Sequence, residues 1–335
     1  MRSGAGTIAY GEQSAARPAR GYPAFAWSVL IYNLAVILWG ALVRATGSGA
    51  GCGGHWPLCN GEVLPASPPI ATVIELTHRA MSGVALVAAA ALAAWGWKAF
   101  PAKHPVRRWA LWSLVFLLTE ALIGALLVLL GHVASNESVG RVFSLSTHLV
   151  NTFLLLASLA LTAWWSTKPA GERLAGRAST ARGRLAIGMT TLVLVAMAGV
   201  ITALGDTLFP AHSLAQGIAD DFASTASFLI RLRVIHPVLG IAAAVFLAFL
   251  AAPQVRASRS DSPRRSPLRT LSALLLVLLG AQIVVGSLTI LLKAPLVLQL
   301  AHLLVADALW ITLVLFASER LRDTGREWVG PLPGG

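Results

Sequence analysis

Little of this 335-residue chain is charged: 12% of its residues are Asp, Glu, Lys or Arg, about half of the ~25% found in soluble domains. That scarcity excludes an ordinary soluble domain, because 56% of the residues are hydrophobic and they arrive in long blocks. Acidic residues are fewest, 14 against 26 basic ones, leaving a net charge of +12. A nucleic-acid binder gathers its basic residues on one face of a polar body. Here they fall in short loops between apolar blocks, the pattern of a membrane topology signal. Nucleic-acid binding is excluded on that distribution, and a lipid bilayer is the expected surrounding.

What is abundant is apolar length. A bilayer core of about 30 Å takes ~20 apolar residues per helix. Blocks of that size lie at 25–43, 73–97, 108–131, 143–165, 185–205, 227–251, 269–292 and 296–317. Backbone groups in lipid must be satisfied within their own segment, so each block is expected to be helical. The first is too long for a signal-peptide core and is read as a span that stays. Lys and Arg set the orientation. Only Arg44, Arg79, Arg141, Arg231, Arg233 and Lys293 of the 26 lie outside one set of loops and tails. The basic side faces the cytoplasm, which places both termini inside a cell (inner) membrane.

The chain also reads as duplicated. Glu120-x-x-x-Gly124 in the third block is matched by Gln282-x-x-x-Gly286 in the seventh, and a histidine pair recurs at similar spacing. The expected fold is all-α and integral to the membrane, with eight transmembrane helices in two pseudo-symmetric four-helix bundles. Its parts are a cytoplasmic tail at 1–24, a first half at 25–168 with an outer loop at 44–72, a basic linker at 169–184, a second half at 185–318 and a tail at 319–335.

His78, His148, His236 and His302 fall in the second, fourth, sixth and eighth blocks. Each lies roughly 8–14 Å below the outer face at about 1.5 Å per residue. A lone intramembrane histidine is commonly a hydrogen-bonded tie between helices. Four at one depth point instead to a bound group. Two facing imidazoles per half suit axial ligation of heme iron in a bundle core. C-x-x-C-H is missing, so such a heme is held non-covalently. Glu75-x-x-His78 resembles a di-iron motif, but that site requires a second Glu-x-x-His and further facing glutamates, which the sequence lacks.

Arg44, Arg79, Arg231 and Arg233 stand near these histidines. Interfacial snorkelling and pairing with heme propionates are both open to them. Glu120 and Asp307 are further intramembrane acids, readable as helix ties or as proton-relay groups. His55, His104, His132 and His212 lie in loops or at helix edges and receive no role. The only two cysteines, Cys52 and Cys59, share the first outer loop. An oxidising outer compartment favours a disulfide there, either structural or redox-active.

GALVRATGSGAGCGGHWPLCNG at 40–61, Glu75-x-x-His78-Arg79, GDTLFP at 205–210 and RLRVIHP around His236 together resemble the heme A synthase family over essentially all eight blocks. The resemblance implies oxidation of the C8 methyl of heme O to a formyl group, giving heme A for terminal oxidases. By motif, His78 and His148 would hold the substrate heme, and His236 and His302 a heme b cofactor. Glu75 would be the essential acid beside the substrate, and Cys52 and Cys59 a pair involved in heme handling. Heme O synthase, a prenyltransferase, and an electron acceptor are implied partners, and assembly as a homo-oligomer is compatible with the sequence. A non-catalytic heme carrier or assembly factor, and a b-type electron-transfer cytochrome, are the competing readings.

Overall fold

The computed structural model describes residues 20–169, 179–257 and 266–326. Most of the expected N-terminal tail (1–19), part of the linker (170–178) and the end of the C-terminal tail (327–335) lie outside the described residues. So does 258–265, between the sixth and seventh spans. Eight helical spans are long and apolar enough to cross a membrane. They are α1 (Tyr22–Ala45), α2 (Ile70–Ala99), α3 (Pro105–Leu129), α4 (Val139–Trp165), α5 (Ser179–Leu208), a two-part sixth span, α9 (Pro267–Leu291) and α10 (Leu296–Arg326). Among the described residues there is no strand, only one isolated bridge between Cys59 and Glu62.

Local chemistry sets the boundaries. Pro occupies the first turn of α1, α3 and α9, where its missing N–H would have no helical partner anyway. Ser138 and Ser266 accept hydrogen bonds from the Arg141 and Arg269 amides and so cap α4 and α9. His104, without a role on sequence grounds, caps α3 by accepting from the Val106 amide and packs on the Phe100 ring. Burial, the larger influence, holds its imidazole below the ordinary value.

Three features depart from the sequence reading. α5 begins at Ser179, within the stretch expected to be linker, and α10 runs on to Arg326, past the expected end of the span. The α10 extension follows from pairing: Glu319 bonds Lys168 at 3.3 Å, Arg322 at 2.7 Å and the Trp164 indole at 2.6 Å. These partners satisfy the charge that read as a helix end. In the connection after α5, a short helix α6 (Leu214–Phe222) was not foreseen. The sixth span then starts as α7 (Phe228–Arg231), tightens through a 3-10 turn at Leu232–Val234 and continues as α8 (Ile235–Ala257).

α1 to α4 close a ring through α1–α2, α2–α3, α3–α4 and α1–α4 contacts. α5, α8, α9 and α10 close a second ring, and the two meet where α4 touches α5 and α10 and α1 touches α10. This seam is tightest toward the C-terminal ends of α4 and α10. From Asn151 to Ser166 and from Leu309 to Glu319 nearly every residue is buried. Trp310 stacks on Phe153 at 4.7 Å and donates to the Phe153 carbonyl. Toward the N-terminal ends of α4 and α10 most residues are only half-buried or exposed, and that is where His148 and His302 lie.

Candidate functional site

Cys52 and Cys59 are disulfide-bonded, and both are 0% exposed. The loop they close is fixed onto the start of α2. A β-carbon at Gly51 would fall 2.5 Å from the Ala71 backbone, so only glycine permits this crossing. Thr72 donates to the Gly51 carbonyl at 2.6 Å, and the Cys52 amide donates to Glu75 Oε2 at 2.8 Å. The other Glu75 oxygen accepts from Arg79 Nη2 at 2.6 Å, while Arg79 Nη1 reaches the carbonyls of His55, Pro57 and Leu58. Glu75 is therefore 3% exposed yet charge-paired, with both oxygens bonded. Each keeps a further lone pair able to take a proton.

The four histidines share one packing rule: each imidazole lies against a glycine of the preceding span. His78 faces Gly40, His148 faces Gly124, His236 faces Gly199 and His302 faces Gly286. At Gly40, Gly199 and Gly286 a β-carbon would come within 2.9 Å of the ring, so these positions are cradles that only glycine leaves open. The rings of His236 and His302 are 6.1 Å apart between centroids and nearly perpendicular. Two imidazoles sharing one iron at the usual ~2 Å metal–nitrogen distance place their centroids about 6 Å apart, so this pair fits axial ligation. His78 Nδ1 and His302 Nδ1 are buried with no hydrogen-bond partner, a costly state for a polar atom and one expected where a site is built for a ligand. Among the described residues no three His, Cys, Asp or Glu side chains cluster as a bare-metal site. Paired imidazoles with porphyrin nitrogens completing the coordination need no such cluster.

Each ring is also held differently. Glu120 on α3 accepts from His148 Nδ1 at 2.9 Å and is itself tied down by Asn151 and Thr152. His236 Nδ1 donates to the Val195 carbonyl at 3.0 Å, and the Gln282 amide lies 3.1 Å from His302 Nε2. The two acids without an assigned role thus separate: Glu120 touches a histidine, whereas Asp307 is 1% exposed with neither oxygen bonded.

Arg44, Arg79 and Arg233, near the histidines, are engaged with protein. Arg44 donates to the Ala203 carbonyl, Thr207 and Gln299, joining α1 to α5 and α10. Arg233 pairs with Asp206 at 2.9 Å and Asp221 at 2.8 Å and also reaches the Gly217 carbonyl. Arg231 is exposed. Sequence reasoning missed Gly40, Gly199 and Asp221. The glycines carried a faint signal, small residues amid bulky ones at histidine depth; Asp221 carried none, since α6 had not been recognised.

Fold and site define a class: a multi-pass helical membrane protein with one histidine in each of four spans, two of them forming a close imidazole pair, and a disulfide-closed loop fixed onto the helix of a third. The chain belongs to the COX15-CtaA family, described as cytochrome oxidase assembly protein, whose model matches residues 23–314. It is 44% identical over 297 residues to a protoheme IX farnesyltransferase of Thermus thermophilus, covering 89% of this chain and 48% of that protein. It is 50% identical over 94 residues to a heme A synthase of Staphylococcus haemolyticus, 28% of this chain and 31% of the relative. With a heme A synthase of Bacillus mycoides the figures are 44% over 108 residues, 31% and 35%. The chain spans about half the length, or less, of these curated relatives.

Proposed function

We propose that this protein is a heme A synthase, oxidising the C8 methyl of heme O to a formyl group by successive hydroxylations and loss of water. His78 and His148 hold the substrate heme in the first four helices, and His236 and His302 hold a heme b in the second four. That heme b supplies one-electron redox chemistry when bound. With water as the oxygen donor, each hydroxylation releases two electrons and two protons. The four electrons of the whole conversion pass to an acceptor in or at the membrane, and loss of water from the geminal diol leaves the formyl group. Glu75 accepts protons near the reacting carbon, and the loop bearing Cys52 and Cys59 fixes its carboxylate. Arg44, Arg79, Arg231 and Arg233, all toward the outer ends of their spans, are the candidates for propionate contacts.

The carrying observation is the place of Glu75: buried, one turn before His78 on the same helix, and bonded through the Cys52 amide to the disulfide loop. A carrier has no use for an acid held there. The heme A synthase names of the Staphylococcus and Bacillus relatives support the same activity. The Thermus relative, about twice as long and named for farnesyl transfer to protoheme IX, supports a heme O synthase as working partner. The excess of basic residues on one side supports a cell-membrane location with both termini cytoplasmic.

The test is to co-express the chain with a heme O-forming prenyltransferase, purify it and identify the extracted hemes by mass spectrometry. Heme O with heme A or the C8 alcohol is expected. Glu75→Gln should retain heme while product falls by about 10²-fold or more. Heme B alone in both sites overturns the synthase in favour of a b-type cytochrome. Product undiminished in Glu75→Gln removes Glu75 from the chemistry.

A further inference from the structure

Position −4 from the histidine-facing glycine meets a ring nitrogen on three of the four spans, each time through different chemistry. On α3 it is the Glu120 carboxylate, four residues before Gly124, against His148 Nδ1. On α5 it is the Val195 carbonyl, before Gly199, against His236 Nδ1. On α9 it is the Gln282 amide, before Gly286, against His302 Nε2. On α1 the corresponding residue is Val36, and His78 Nδ1 has no partner. One imidazole pair thus includes a carboxylate-backed ring, whereas the other meets only neutral groups.

We propose that Glu120 and Gln282 are positioning residues that set the two imidazole pairs to unequal reduction potentials, the pair backed by Glu120 being the lower. This rests on the heme-binding reading above. A histidine ligand that gives its second N–H to a carboxylate is fixed in orientation and becomes a stronger donor. Stronger donation and nearby negative charge both favour ferric iron, more so in a low-dielectric interior. Glu120 is held for this part: Asn151 donates to it at 2.5 Å and to the Phe116 carbonyl at 2.8 Å, and accepts from Thr119 at 2.6 Å. Gln282 has no such frame, its Oε1 being buried without a partner. Electrons released in the first half then run downhill to the second. A mere tie between α3 and α4 would affect stability and leave both potentials unchanged.

The test is a redox titration of the full-length protein in detergent, loaded with heme B and followed at the Soret and α bands. Two midpoints are expected in the unaltered protein. Glu120→Gln should raise the lower one, and Gln282→Glu should lower the higher one, each by about tenfold in the ferric/ferrous ratio, or ~59 mV for a one-electron couple. Unchanged midpoints in heme-replete variants, or shifts of the same sign in both, overturn this inference and leave the heme reading intact. If Glu120→Gln loses its heme, the Gln282→Glu arm decides: a fall supports the inference and no shift overturns it. An unaltered protein that binds no low-spin heme overturns both.

Discussion

At Gly40, Gly199 and Gly286 a β-carbon would meet an imidazole at 2.9 Å, whereas at Gly280, on the same helix as Gly286, it would meet nothing within 4 Å. The contrast makes a single methyl group a probe of the site. Gly40→Ala must push His78 aside, because helix backbone leaves the new atom no other direction. If each half holds one heme as proposed, it should remove about half of the low-spin Soret absorbance, with Gly280→Ala unchanged. Visible spectra of the two variants, with extracted heme content as a check, measure this. At this scale the histidines were legible in the sequence because ionisable residues are rare in apolar blocks. The glycines opposite them were not, because a contact between helices depends on rotation about each helix axis.

Among the elements, the connection from α5 to α8 carries the least expected structure. Arg233 lies within the 3-10 turn that breaks the sixth span and is clamped by Asp206 from α5 and Asp221 from α6. The clamp occupies the same place relative to His236 that Glu75 occupies relative to His78, with the sign of charge reversed. Removing one member of a desolvated ion-pair cluster leaves the others unpaired, at a cost of about 3 kcal/mol. Arg233→Ala should therefore speed amide exchange across α6 and α7 while leaving the loop closed by Cys52 and Cys59 protected. Hydrogen–deuterium exchange in micelles reads both regions at once, and uniform loosening would contradict a local clamp. The apolar blocks announced the spans; α6 is too short and too polar on one side for the same signal to reach it.

For the molecule as a whole, orientation rests on the basic residues, and the two cysteines permit a clean measurement because both are bonded. On the proposed orientation, a cysteine placed at exposed Leu64, in the loop between α1 and α2, should react with a membrane-impermeant maleimide on intact cells or spheroplasts. One placed at exposed Ala102, between α2 and α3, should react only after lysis. The reverse pattern would invert the topology. Arg44 belongs to this scale too. It spans from the C-terminal end of α1 to α5 and α10, while Trp310 and Phe153 join the two rings of helices nearer the C-terminal ends of α4 and α10.

The sequence by itself determined membrane residence, the eight spans, the place of each of the four histidines along its span and the pairing of cysteines in one loop. Each depends on local composition or on spacing along one helix, where about 1.5 Å per residue and the cost of unpaired backbone in lipid leave few choices. Only the tertiary structure decided which glycine cradles which imidazole, that Glu120 backs His148 while Gln282 meets His302, and that Arg79 and Arg233 are held by protein acids and carbonyls. Those outcomes depend on how helices rotate and lean against one another. In lipid, that is settled by close packing and polar contacts between distant segments, which no local pattern encodes.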